Sequence, residues 1–207
     1  MSEVHVDPSA LILPGVEFGH GVVVEAFCVI GASPRGKRDG RRTIIGDRAH
    51  IRSHSVIYCG NTIGAGFETG NGVNVREGNQ IGDNVSVGTH SVIEHSVVIE
   101  DDVRIHSNVF IPEFTKLRRG AWIGPNVVLT NAKFPAETDT KRHLLGPEVA
   151  EGARIGANVT VLPGLRLGRD CLVGAGSVVT RHVPDGMLAA GNPARILRPI
   201  TRTNYSV

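Results

Sequence analysis

Aromatic residues are scarce in this chain. Phe, Tyr and Trp together make up 4% of 207 residues, and there is a single Trp. A core with so few rings has to be built from Ile, Leu and Val, which suits short stacked strands. Cysteine is nearly missing too: Cys28, Cys59 and Cys171 stand far apart. That excludes a disulfide framework and points to a reducing compartment, with the cytoplasm as the expectation. No apolar run approaches the roughly 18 residues of a membrane-spanning helix. The opening MSEVHVDPSALILPG has acidic residues and no basic start, so no secretory signal is expected. Neither sign of charge dominates, and a net charge of +2 argues for no nucleic-acid partner.

What the chain does have is a period. From Ile81 to Leu129 every sixth residue is aliphatic: Ile81, Val87, Ile93, Ile99, Ile105, Ile111, Leu117, Ile123 and Leu129. Neither a 3.6-residue helix nor an alternating strand locks at six. A short fixed period sustained this long is the mark of a β-helix. The period begins at Val6, Ile12, Phe18, Val24 and Ile30, and resumes in a new register at Ile45. It returns at Ile155, Val161, Leu167, Val173 and Val179. The position four after each rung is also small or apolar, except at Asn61 and Asn79. Those two are eighteen residues apart and read as a buried asparagine ladder.

Two polar segments interrupt the period, 31–44 and 132–148, and both are expected as loops. The first holds Arg35, Lys37, Arg38, Arg41 and Arg42 within eight residues. Residues 1–183 are thus expected as one β-helix domain. Residues 184–207 are expected as a turn and tail, with a short helix near Ala194–Leu197.

The hexads IIGDRA, VGTHSV, IGPNVV, IGANVT and LGRDCL, with the ending GAGSVVTRHVPDGMLAAGNPARI, resemble the bacterial transferase hexapeptide superfamily. The resemblance covers nearly the whole chain. It implies an all-β fold, a left-handed parallel β-helix with three hexads per coil. It also implies a homotrimer and acyl transfer from an acyl thioester, usually acetyl-CoA. A closed cyclic assembly would cover the flat sides that a stack of repeats leaves exposed.

If a coil is eighteen residues, Cys59, Glu77, His95, Glu113 and Asn131 form one column at strand spacing, about 4.8 Å per coil. A carboxylate beside an imidazole can orient it, select its tautomer and raise its basicity. The segment SVIEHS resembles the Ile-x-His segment that carries the general base in the superfamily's sugar-nucleotide N-acetyltransferases. His95 stands at that histidine. Ser96 stands where those proteins often have an acidic residue, which leaves Glu77 or Glu113 as the orienting carboxylate. Asn131 is a hydrogen-bonding candidate, and His90 and His106 are candidates for lining the acceptor cleft. Cys59 shares the column, while Cys28 and Cys171 read as buried small hydrophobes.

The donor site rests on the same resemblance. Gly156, Ala157, Gly174 and Ala175 match the small-residue corners along which the pantetheine arm lies between subunits. Arg181, Arg195 and Arg198 are candidates for the CoA phosphates. Arg38 and Arg41 in the basic loop are candidates for a pyrophosphate, as a nucleotide-linked acceptor requires. The segments TGNGVNVREGN, VIEHS, FIPEF and IGPNVVLTNAKFP resemble the sugar-nucleotide N-acetyltransferases most. The resemblance therefore implies N-acylation of a nucleotide-linked amino sugar, with O-acetylation of a sugar as an alternative and no metal. A third reading comes from His54, His90 and His95, whose gaps of 36 and 5 resemble the zinc ligands of γ-class carbonic anhydrases. There the first histidine directly follows the glycine. Here Thr89 intervenes, and a one-residue shift turns a side chain to the other face.

Overall fold

A computed structural model describes residues 3–34 and 40–201. Arg35, Lys37 and Arg38 of the basic run lie outside the described residues. Most strands are two residues long and end on a rung, as in Ser86–Val87, Val92–Ile93 and Val98–Ile99. Each pairs in parallel with the strand eighteen residues on, so that Val75 aligns with Ile93 and Ile93 with Ile111. The chain visits three sheets in turn, which we call A, B and C. Among the described residues they hold eleven, nine and eight strands. The result is a left-handed parallel β-helix with three hexads per coil.

The rung points inward and its preceding neighbour outward, which follows from the period-2 pleat. Ile93, Ile111, Leu117, Ile123 and Leu129 are all 0% exposed. Each such side chain contributes roughly 1.5–3 kcal/mol by leaving water. Among the described residues Phe67 is the one ring fully inside. The glycine after a rung has a steric cause. A Cβ on Gly88 would stand 2.4 Å from the carbonyl carbon of His106 and the nitrogen of Ser107 in the next coil. The coils stack too closely there for any side chain.

Both interruptions leave the prism at the same edge, the corner between sheets B and C. One separates Val29–Ala32 of sheet B from Thr43–Ile45 of sheet C. The other separates Val128–Leu129 from Glu148–Val149 and carries one short 3-10 turn, Thr140–Arg142. The two expected loops therefore share one edge of the prism, five coil steps apart along sheet B.

The C-terminal expectation is corrected. Met187–Gly191 joins sheet A in parallel with Leu172–Val173, and Ala194–Pro199 folds back antiparallel to it. The expected helix near Ala194–Leu197 is thus a strand, and 184–201 extends the sheet instead of trailing as a turn and tail. Four residues are too few to nucleate a helix. Gly191, at φ 105°, makes the reversal that lets Ala194 pair with it. No helix of the described residues is long and apolar enough to cross a membrane. Cys28 and Cys171 are buried inside, as expected, and burial pushes the Cys171 thiol up to about 12.

Candidate active site

His95 follows Val92–Ile93 at the B–C corner, on the same edge as the two inserted segments and between them along the stack. Its column is formed as the spacing predicts, with Glu77 one coil above and Glu113 one coil below. The carboxylate that reaches the imidazole is Glu113: Oε1 lies 3.6 Å from Nε2 of His95. Asn131 donates from Nδ2 to the other oxygen of Glu113 at 2.5 Å. The Asn131–Glu113–His95 series spans three coils. On the other side of the ring, Nδ1 lies 3.2 Å from the Ser96 hydroxyl. The His95 side chain is 35% exposed and that of Glu113 24%, so the ring is held yet open to solvent.

Glu77 is differently engaged. Its carboxylate receives two hydrogen bonds from Arg76, at 2.9 and 3.2 Å. Burial is the largest single effect and pushes its pKa up, but the Arg76 hydrogen bonds, its own backbone N–H and the charges of Arg76 and His95 together bring the net direction down. Arg76 also reaches Glu94 at 3.4 Å and lies over the Tyr58 ring at 5.0 Å. The Glu94 carboxyl is pushed up, first by burial, with Arg76 pulling it down and Glu113 adding to the rise. His95 therefore faces one carboxylate committed to an arginine, one raised by burial, and one aimed at its ring.

Phe114 and Ser96 follow Glu113 and His95 and hold left-handed φ values of 65° and 59°. Non-glycine residues in that region cost about 1–2 kcal/mol each. The same turn recurs along the coil, as at Asn84, Asn108 and Asn126, so it belongs to the repeat rather than to this site. The Phe114 ring meets His95 edge-on at 6.1 Å. From the first inserted segment, Arg41 lies against the same edge. A Cβ at Gly60 would be 3.1 Å from its Cζ, and one at Gly78 would be 2.9 Å from its Nη1. That sets a guanidinium beside Gly78, in the coil directly above Ser96. Arg42 turns away and pairs with Glu17. Arg38 lies outside the described residues.

Most of the other candidates are not at this corner. His90 and His106 sit at the A–B corner, so within one chain the structure does not bring them to His95. His106 packs on Trp122 at 4.5 Å, and its pKa is lowered first by burial and then by Arg104. His54 and His90 share the A–B corner two coils apart. The three imidazoles of the zinc reading therefore do not converge within one chain, and no group of three or more His, Cys, Asp or Glu suited to a metal occurs among the described residues.

Gly156, Ala157, Gly174 and Ala175 also lie at the A–B corner. Gly156 and Gly174 are explained by stacking alone: a Cβ on the first would be 2.6 Å from the Ala175 nitrogen, and on the second 3.0 Å from Ala190 Cβ. Ala190 pairs with Arg195 across the terminal hairpin. The structure thus groups Arg195 with Gly174 and Ala175. Arg181 follows Val178–Val179 at the B–C corner and is apart from them. Spacing alone missed Arg76 near the site, and it read Asn79 as part of a buried ladder without a role there. Arg76 had the signal of an arginine next to a column glutamate, and Asn79 that of a polar residue at an inward position.

The family model "Bacterial transferase hexapeptide (six repeats)" matches residues 80–113 and 146–181. Over those two stretches the chain carries the bacterial transferase hexapeptide repeat. The first match spans His95 and Glu113; the second spans Gly156 and Gly174. This hexapeptide-repeat chain is 35% identical to the "Putative acetyltransferase YJL218W" of Saccharomyces cerevisiae over 123 residues, which cover 53% of the chain and 62% of the relative. It is 58% identical over 48 residues to the dTDP-3-amino-3,6-dideoxy-alpha-D-galactopyranose 3-N-acetyltransferase of Aneurinibacillus thermoaerophilus, covering 23% of the chain and 25% of that relative. The chain thus spans less than two thirds of the length of either relative. The solved structure of LpxA from Acinetobacter baumannii superposes with a TM-score of 0.51 at 16% identity. The match covers 96% of this chain and 73% of that one, a likeness of fold alone.

Proposed function

We propose that this chain is an acyl-CoA-dependent N-acyltransferase whose acceptor is an amino sugar carried on a nucleoside diphosphate, with His95 as general base. The observation that carries the reading is the Asn131–Glu113–His95 series on an accessible corner between two inserted segments. A carboxylate facing Nε2 favours the proton on that nitrogen and leaves Nδ1 to accept one. Nδ1 takes a proton from the attacking amine, with the Ser96 hydroxyl beside it. The amine nitrogen bonds to the thioester carbonyl carbon, the C–S bond breaks, and the thiolate leaves and is protonated. Backbone N–H groups at a coil corner would steady the oxyanion. No covalent enzyme intermediate is required.

The relatives' names support acetyl transfer, and one names a nucleotide-linked amino sugar. Arg41 supplies positive charge one coil from His95, suited to a diphosphate. The donor is assigned to the Gly156–Ala157 and Gly174–Ala175 corner with Arg195 near its phosphates. Because that corner and the His95 corner are different edges of the prism, the reading requires two chains per site, in a homotrimer. His90 and His106 would then line the site from the adjoining chain. Buried cysteines outside any disulfide suit a cytoplasmic protein.

The test is thiol release from acetyl-CoA with a panel of nucleotide-linked amino sugars and their hydroxyl counterparts. Release with the amino members alone is expected. Release with hydroxyl members alone would move the assignment to O-acetylation. Stoichiometric zinc with CO2 hydration and no thiol release would replace it with the carbonic anhydrase reading.

A further inference from the structure

We infer that Asn79, backed by Asn61, is a positioning residue that sets the turn carrying His95; its kinetic consequence rests on the acyltransfer reading above, its structural consequence does not. At the other two corners of the prism each coil is tied to the next by a backbone hydrogen bond. The N–H at the third position after a rung donates to the carbonyl one coil earlier, over 2.7 Å from Gly66 to Asp47 and 3.1 Å from His54 to Ala26. At the His95 turn the same bond, from Ser96 to Glu77, stretches to 3.4 Å. It is the longest tie of this kind among the described residues.

A side-chain ladder takes its place. Asn61 and Asn79 are both 0% exposed and point inward behind this corner. Asn61 Oδ1 accepts the Asn79 N–H at 2.8 Å, and Asn79 Oδ1 accepts the Val97 N–H at 2.7 Å. Asn79 Nδ2 donates to the Arg76 carbonyl at 2.8 Å. The ladder thus holds the Arg76–Glu77–Gly78 turn together and ends two residues beyond His95. Most inward positions at this point of the hexad hold small or apolar residues. The two asparagines sit in the two coils directly above His95. A buried amide that satisfies groups in two coils fixes their relative position, and small displacements of a base cost rate steeply.

The test compares Asn79→Val with Ser55→Val. Ser55 is an equally buried inward tether, whose Oγ accepts the Val73 N–H at 3.2 Å and donates to the Gly70 carbonyl at 3.3 Å, but at the A–B corner. Melting temperature, kcat, KM for acetyl-CoA and the His95 ring NMR signals are measured on each. Asn79→Val is expected to lower kcat about tenfold or more, leave KM for acetyl-CoA in place, and move the His95 ring signals. Ser55→Val is expected to melt earlier with neither change. Equal kcat in the two variants with unmoved His95 signals overturns the inference. If Asn79→Val does not fold, Asn79→Thr retains an inward oxygen, as Thr115 does, and should show a partial loss; wild-type kcat with unmoved signals in that variant overturns it. If the wild type acylates no acceptor, the acyltransfer reading fails, and the His95 ring signals alone decide: moved in the Asn79 variant they support the positioning role, unmoved they overturn it.

Discussion

Glu113 and His95 face each other across one coil step, with Oε1 of the first 3.6 Å from Nε2 of the second. Glu77, one coil above, is held by Arg76 instead. The two column glutamates are therefore unequal despite their symmetric spacing. Glu113→Gln should lower kcat about tenfold or more, because the imidazole loses the carboxylate that orients it and raises its basicity. Glu77→Gln should lower it much less. Steady-state kinetics on the two variants check this, and a larger loss from Glu77 would reverse the assignment.

Glu94 gives a pH prediction. Its folded pKa is raised above the ordinary 4.5, with burial the largest cause. A raised carboxyl favours its protonated form in the folded state. The associated stability is fully present below 4.5 and is lost as pH rises through the raised value. Glu94→Gln mimics the protonated form. It should melt higher than wild type at neutral pH, with the gap closing as pH falls to 4.5 and below. Calorimetry across that range reads it, and equal melting temperatures throughout would contradict it.

Stacking gives a stability prediction. A Cβ on Gly88 meets backbone of the next coil at 2.4 Å, whereas one on Gly40 meets nothing within 4 Å. Overpacking against backbone costs typically about 1–3 kcal/mol and sometimes more. Gly88→Ala should unfold at clearly lower denaturant, and Gly40→Ala within error of wild type. Urea titrations compare them.

The three cysteines are buried and outside any disulfide, and burial pushes the Cys28 and Cys171 thiols up. The thiolate is the reactive form. Alkylation at pH 8 should therefore be slow in the folded protein and complete at all three after unfolding, as mass spectrometry would count. Rapid labelling of Cys171 in the folded state would show that coil to be open.

Much of the scaffold was legible because six-residue spacing ties directly to side-chain direction. Ile93 and Ile111 had to stack once the coil was eighteen residues, and with them His95 over Glu113 and Asn131. The same arithmetic carried Asn61 and Asn79 inward as a ladder. It did not show that Arg76 takes Glu77, since that contact is between neighbours of opposite charge and depends on rotamers. Nor did the histidine gaps reveal that His90 and His95, five residues apart, occupy different corners. The strand at Ala194–Pro199 was hidden because its partner is a hairpin neighbour outside the repeat.

The most direct measurement is the turnover number of His95→Ala for thiol release from acetyl-CoA with a nucleotide-linked amino sugar. A general base contributes roughly 10²–10⁴-fold. A loss of that order, with KM for acetyl-CoA retained and the melting temperature near wild type, is the predicted result. An unchanged turnover number and pH profile would contradict the account and place the base elsewhere.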